Sequence, residues 1–125
     1  MIVIEVINHK EQRYPTLGDW EFSQPVVGRE NLLIRVSDTG VSEFNQLIAI
    51  HELIEALLCK VNGVTQQEVD EWDMSHLELP EPGDHIQAPY HMEHYFASII
   101  EHMVATEMGV VWEDYEQAVE NTMAL

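Results

Sequence analysis

A histidine and two glutamates stand within five consecutive residues, His51-Glu52-Leu53-Ile54-Glu55, inside an otherwise apolar stretch. Residues four apart on an α-helix project from the same side, so His51 and Glu55 should point in one direction. An imidazole and an ionised carboxylate are ligands that zinc and similar divalent metals accept. The spacing therefore predicts a metal-binding pair.

A helix over residues 41–60 should position this pair. Apolar residues recur there at helical spacing, neither Gly nor Pro interrupts the run, and Gly63 follows where the helix should end. On a helical wheel, the pair shares its arc with apolar residues: Phe44, Ile48, Ile54 and Leu58. A lone buried carboxylate would be costly or would take up a proton, and a metal ion offsets that cost. Glu52 is turned about 100° away, where a general base beside the metal would stand.

A second predicted helix, residues 90–108, offers a third ligand. His94 and Glu101 are seven residues apart and share a face with small residues that would let another helix approach: Ala97, Ser98 and Ala105. We predict that His51, Glu55 and His94 hold the metal, which is the three-ligand pattern of catalytic zinc sites. Glu101 could be a fourth ligand or could orient His94. The next candidate is Asp73.

Other interpretations of these residues stay open at this point. The pair His51 and Glu55 could simply form a hydrogen bond or face solvent, and the second helix could be packed in the ordinary way. Further candidate ligands are His91, Glu93 and His76. We expect His85 and His102 to be solvated and assign no role to His9.

The elements needed to carry the site follow a simple order, strands first and helices after them. Strands are predicted at residues 2–7, 20–23 and 32–36. Thr65-Gln-Gln-Glu68 matches a capping box and should open a short helix that runs to about His76. A proline-containing loop over residues 79–89 precedes the second long helix, and a last helix covers about 113–123. We predict one α+β domain over 1–125, with a short antiparallel sheet of about three strands and then three to four helices.

Composition excludes several classes of protein. Against 5 Lys and Arg stand 23 Asp and Glu, a formal net charge of −18, which is the opposite of what a nucleic-acid-binding surface needs. A hydrophobic fraction of 46% is enough for a core. No apolar run is long enough for a membrane span, and the N-terminus reads as a strand rather than a signal peptide. A single cysteine, Cys59, fits a reducing cytoplasm.

Nearly the whole chain resembles a family of small tailed-phage and prophage proteins of uncharacterised function. The stretches that carry the resemblance are His51-Glu-Leu-Ile-Glu-Ala-Leu-Leu-Cys59, Val69-Asp-Glu-Trp-Asp73, Glu81-Pro-Gly-Asp84, Ala88-Pro-Tyr90, Glu93-His94-Tyr-Phe-Ala97, Arg13-Tyr-Pro-Thr-Leu-Gly-Asp-Trp20 and Ile34-Arg-Val-Ser37. The resemblance implies a phage product in the cytoplasm of a bacterial host cell.

Through H-E-x-x-E alone, the chain also resembles the zincin-like metallopeptidases, in which a small sheet precedes an H-E-x-x-H helix and a later ligand helix. Here Glu55 stands in place of the second histidine, and Asp or Glu can replace His as a ligand. The resemblance implies a zincin-like layout, a zinc ion and Glu52 as the catalytic base.

Three functions therefore stand side by side. The first is a hydrolase that uses zinc or another divalent transition metal. The second is an acidic, non-enzymatic binding module that imitates DNA or inhibits a host factor, with a host protein or peptide as its partner. The third is a magnesium-dependent nucleotide pyrophosphohydrolase, in which Glu52 and Glu55 form one E-x-x-E pair and Asp70 and Asp73 supply another.

Overall fold

Three strands followed by four α-helices make up the computed structural model, which confirms the predicted α+β class and order of elements. Residues 1–125 are described, apart from the side chains of residues 25 and 26. The strands are β1 (Ile2–Ile7), β2 (Gly18–Val26) and β3 (Arg29–Ser37). The helices are α1 (Ser42–Asn62), α2 (Gln66–Ser75), α3 (His91–Glu107) and α4 (Trp112–Met123). Short 3₁₀ turns occupy His9–Glu11 and Pro82–Asp84.

The sheet is mixed, with the strand order β1-β3-β2. β2 and β3 pair antiparallel, as predicted, but β1 and β3 pair parallel, so the prediction of a purely antiparallel sheet is wrong for that pairing. β1 and β3 are parallel because residues 8–17 reverse the chain direction without pairing β2 directly with β1. A space for one strand remains between β1 and β2. The β2–β3 hairpin then returns β3 into that gap, parallel to β1.

Helix boundaries follow local signals in the sequence. α1 ends at Gly63, whose φ of 76° is a left-handed conformation that only glycine adopts without strain. α2 opens on the predicted capping box, with both halves of the exchange between Thr65 and Glu68 formed. β2 and β3 are longer than predicted because the hairpin extends their pairing to Val26 and Arg29.

The core lies between one face of the sheet and α1. Trp20, Ile34 and Val36 project from β2 and β3 onto this face and are buried, as are Leu47 and Ala56 of α1. α1 also packs against α3, so this helix contacts both the sheet and the second long helix. The polar residues of α1 that point between these elements are thus enclosed. Within the described part of the chain, no helix has the length and apolarity needed to cross a bilayer.

Candidate metal centre

Three side chains from α1 and α3 meet at one buried point. His51 Nε2 lies 3.1 Å from Glu55 Oε2 and 3.1 Å from His94 Nδ1, and His94 Nδ1 lies 2.9 Å from Glu55 Oε2. All three residues are buried. The predicted set His51, Glu55 and His94 is therefore brought together, in an arrangement that could hold a metal ion. We refer to these three residues as the triad.

The outer nitrogen of each triad histidine is held by a carboxylate. His51 Nδ1 lies 2.9 Å from Glu101 Oε1, and His94 Nε2 lies 2.9 Å from Asp84 Oδ1. A carboxylate can only accept, so each of these ring nitrogens carries the hydrogen and donates it. In the neutral imidazoles the inner nitrogens, His51 Nε2 and His94 Nδ1, are left as lone pairs. This is the carboxylate–histidine arrangement that accompanies protein metal ligands.

Glu55 is oriented from the sheet side. Trp20 Nε1 donates to Glu55 Oε1 over 3.0 Å, which leaves Oε2 to face the two histidines. The carboxylate is therefore held so that a single oxygen points into the triad. Trp20 comes from β2, so the sheet contributes directly to the orientation of a residue on α1.

When both histidines are neutral, three electron pairs point toward one another. Their mutual repulsion can be offset only by a cation or by protons between them. Burial opposes charge on Glu55, but hydrogen bonds with His51 and His94 outweigh it and lower the Glu55 pKa to about 2. Burial likewise opposes charge on His94, but Asp84 and Glu55 raise its pKa to about 10. For His51, Glu101 and Glu55 overcome burial and raise the pKa well above its usual value. Without a metal, protons on the histidines take the place of the cation.

The triangle of ligand atoms has the size that a first-row metal requires. Ligand atoms about 2.0–2.1 Å from a common ion are about 3.3 Å apart in a tetrahedron and about 2.9 Å apart at right angles. The observed separations of 2.9–3.1 Å lie in the lower half of this range. A tetrahedral ion needs each separation to widen by only a few tenths of an ångström, close to the tolerance of real sites. Two histidines and one carboxylate suit zinc, and they also suit iron and other divalent transition metals.

Two glycines make room for site residues. A Cβ on Gly83 would lie 2.6 Å from Cγ and 2.8 Å from Nδ1 of His94, so the absence of a side chain lets the loop approach this ring. A Cβ on Gly18 would lie 2.5 Å from Cγ and 2.6 Å from Cδ of Glu52. Gly18 therefore lets the Glu52 side chain lie against β2.

Glu52 lines the same cavity as the triad but is not part of it. Burial, followed by the charge of Glu55, raises the Glu52 pKa well above its usual value. Its predicted role as a general base stays a prediction. A carboxylate in this position can exchange a proton with a molecule held in the cavity.

The two less certain candidates have other partners. Glu101 contacts His51 rather than His94, and its second oxygen accepts from Tyr115 Oη over 2.6 Å. The prediction that Glu101 orients His94 is wrong because seven residues place it about 10.5 Å further along α3, beside the other histidine. Asp73 accepts a hydrogen bond from Tyr90 Oη and lies outside the triad. Burial raises the Asp73 pKa to about 7.

The remaining candidate ligands make local contacts. His91 Nδ1 and His76 Nδ1 donate to the backbone carbonyls of Gly83 and Trp72. Glu93 accepts from the side chain of Asn62. These contacts account for each residue without a metal, so the alternative ligand sets are not supported.

Sequence reasoning missed two residues that orient the triad, Asp84 and Trp20. Asp84 is in a proline-containing 3₁₀ turn that carries no periodic signal, and the run Glu81-Pro-Gly-Asp84 entered the sequence analysis only as part of the family resemblance. Trp20 precedes Glu55 by 35 residues, and nothing in the local pattern pairs them.

The triad opens into a cavity of about 450 Å³. Nine of the residues that line it are Asp or Glu, and no Lys or Arg is among the described lining residues. Two walls come from α1 with α3 and from β2, and a third comes from α4. The cavity has the size of a small-molecule or side-chain site, and its lining is rich in carboxyl groups.

No protein-family model, curated protein or solved structure matches this chain. Function is therefore inferred from the chemistry of the site itself.

Proposed function

We propose that this chain is a metal-dependent hydrolase whose triad holds zinc or another divalent transition metal. The main observation behind the proposal is that the inner atoms of His51, Glu55 and His94 converge on one point. Each of these groups is oriented by a hydrogen bond on the side that faces away from that point. Carboxylates hold the outer N–H groups of His51 and His94, and Trp20 holds the outer oxygen of Glu55. In the metal-free chain the raised pKa values of His51 and His94 place protons on the inner atoms, and a metal ion held by the neutral imidazoles and the Glu55 carboxylate would replace those protons.

His51, Glu55 and His94 would hold the divalent metal, which would supply Lewis-acid chemistry for the attack of water on a carbonyl group. Glu52 is the general base that accepts a proton in the cavity, and Gly18 leaves it the space to do so. Burial of the triad keeps bulk water away from these groups and strengthens their electrostatic effect.

The order of the elements supports the proposal, because a zincin-like layout requires the same order. A small sheet precedes the H-E-x-x-E helix, and the third ligand comes from a later helix. In our proposal Glu55 takes the role of the second histidine. We propose further that the protein acts as a phage product in the host cytoplasm, as the sequence resemblance implies, and that its partner there is a host protein or peptide.

The alternative of a nucleotide pyrophosphohydrolase is less well supported. A nucleoside triphosphate needs positive groups for its phosphates, and the described lining of the cavity contains neither Lys nor Arg. Asp70, which would belong to the second acidic pair, lies 3.3 Å from Arg13 in an ion pair. Both observations favour a substrate without phosphates.

Elemental analysis of protein purified without chelator tests the metal directly. We expect close to one zinc, iron, manganese or nickel per chain, and a rise in melting temperature when metal is restored to stripped protein. His94→Ala should abolish both effects. His102→Ala is the matched control, since this exposed histidine is on the same helix and outside the triad. Wild-type protein that carries no metal and shows no thermal shift with any of the four would overturn the proposal.

A further inference from the structure

The charge of the cavity has a consequence for what enters it. Several of its carboxylates are already engaged: Glu55 in the triad, Glu101 and Asp84 with the histidines, Asp73 with Tyr90, and Asp19 with Arg13. Glu116 and Glu120 are paired with no Lys, Arg or His side chain in the described contacts, so their carboxylates add negative charge on the α4 side of the cavity. Such a cavity repels anionic ligands and concentrates cationic ones.

Helix α4 places apolar side chains next to two of the cavity's carboxylates. Glu116 and Glu120 line the cavity from this helix, and Val119 and Met123 line it beside them. The aromatic ring of Trp112 completes the wall, and its Nε1 donates to Glu116. Aliphatic and aromatic surface next to carboxylates is what a Lys or Arg side chain needs, because its methylene stem is apolar and its end is charged.

This wall belongs to the metal cavity and is separate from the triad. From it we infer that the hydrolase acts on substrates with a cationic side chain, an ammonium or guanidinium group on an alkyl stem. The inference rests on the proposed function. The reacting group lies at the triad and Glu52, and the cationic end lies against Glu116 and Glu120. The chemical reaction and the recognition of the substrate side chain thus take place in two different parts of the cavity.

Metal-anchored probes test this wall independently of any known substrate. We would use the Nα-acetylated hydroxamates of lysine, norleucine and glutamate, which share one metal-binding group and differ in side-chain charge. Binding to the zinc-loaded protein is followed by intrinsic tryptophan fluorescence or calorimetry. We expect lysine to bind about five- to tenfold more tightly than norleucine, with glutamate weakest, the size expected of a partly exposed ion pair with an aromatic contact.

Variants of α4 in which Glu is replaced by Gln test whether this helix causes the preference for the lysine probe. Glu116→Gln with Glu120→Gln should reduce the lysine preference to about twofold or less without changing zinc content. Glu113→Gln, on the same helix but outside the cavity lining, is the matched control and should keep the preference. Raising the salt concentration should weaken lysine binding more than norleucine binding.

The outcomes separate the two proposals. Absence of zinc, and so of binding by all three probes, overturns the proposed function. Zinc-dependent binding of all three with equal affinity overturns the substrate inference alone. A second equivalent of zinc that disappears in Glu116→Gln with Glu120→Gln would assign the negative charge to another metal ion and also overturn it.

Discussion

Replacing Gly83 by alanine should remove the metal while leaving the fold in place. The added Cβ would lie 2.6 Å from His94 Cγ and 2.8 Å from His94 Nδ1, and 2.7 Å from Tyr90 Cε2 on its other side. Ordinary contact begins at 3.4 Å, so either the ring or the loop has to move by about 0.6–0.8 Å. Metal sites tolerate about 0.2 Å in ligand distance, so this displacement is several times too large.

We expect the dissociation constant for zinc to rise about 100-fold, the upper end of what is seen when a residue that only supports a ligand is changed. The overpacking should also lower the stability of the metal-free protein by about 1–3 kcal/mol. Competition with a zinc-binding dye of known affinity gives the constant, and circular dichroism with thermal melting gives the stability.

Gly18→Ala is the matched control, because it adds the same methyl group with a similarly close overlap, against a different side chain. Its Cβ would overlap Glu52, which is not a ligand. We expect a similar loss of stability but a zinc dissociation constant within about threefold of wild type. If Gly83→Ala keeps wild-type affinity while folding normally, His94 Nδ1 is not a ligand. If both variants lose zinc equally, the separate roles assigned to His94 and Glu52 are wrong.

Three further predictions concern the groups around the triad. Trp20→Phe removes the donor to Glu55 Oε1 and should weaken zinc binding about tenfold, and an unchanged affinity would contradict this role. Glu101→Gln replaces the carboxylate that accepts from His51 Nδ1 with a weaker acceptor. We expect the zinc affinity, measured by the same dye competition, to fall about 10- to 100-fold. Burial raises the Asp73 pKa to about 7 in the folded chain from 3.8, so the metal-free protein loses stability as pH rises from about 4 to 7. Asp73→Asn should flatten melting temperature against pH in this window, whereas a curve of unchanged slope would show that Asp73 does not ionise there.

Residues whose partners are close in sequence, or on a regular helix, could be predicted from the sequence. His51 and Glu55 are one turn apart, so their shared direction follows from helical geometry alone. His94 followed from the small residues around it, which indicated a close helix contact. The capping box at Thr65 is likewise a four-residue signal.

The supporting contacts could not be predicted, because they depend on how elements distant in sequence are aligned. Which histidine Glu101 reaches depends on the register between α1 and α3, which no local pattern fixes. Trp20 reaches Glu55 only because β3 enters the sheet between β1 and β2 and leaves β2 as the strand beside the triad. Asp84 depends on the path of a proline-containing loop.

The hydrogen bonds around the triad orient its three inner atoms toward one another. In a satisfied core, each buried acceptor faces a donor, and the cluster closes on itself. Here the donors lie outside: Trp20 binds the far oxygen of Glu55, and the histidine N–H groups point away to Glu101 and Asp84. Four elements thus fix three acceptors toward one another at 2.9–3.1 Å, a costly arrangement unless a positive charge lies between them. Protons supply that charge in the metal-free chain, and the same three atoms, oriented by their outer partners, could hold a metal ion in place of those protons.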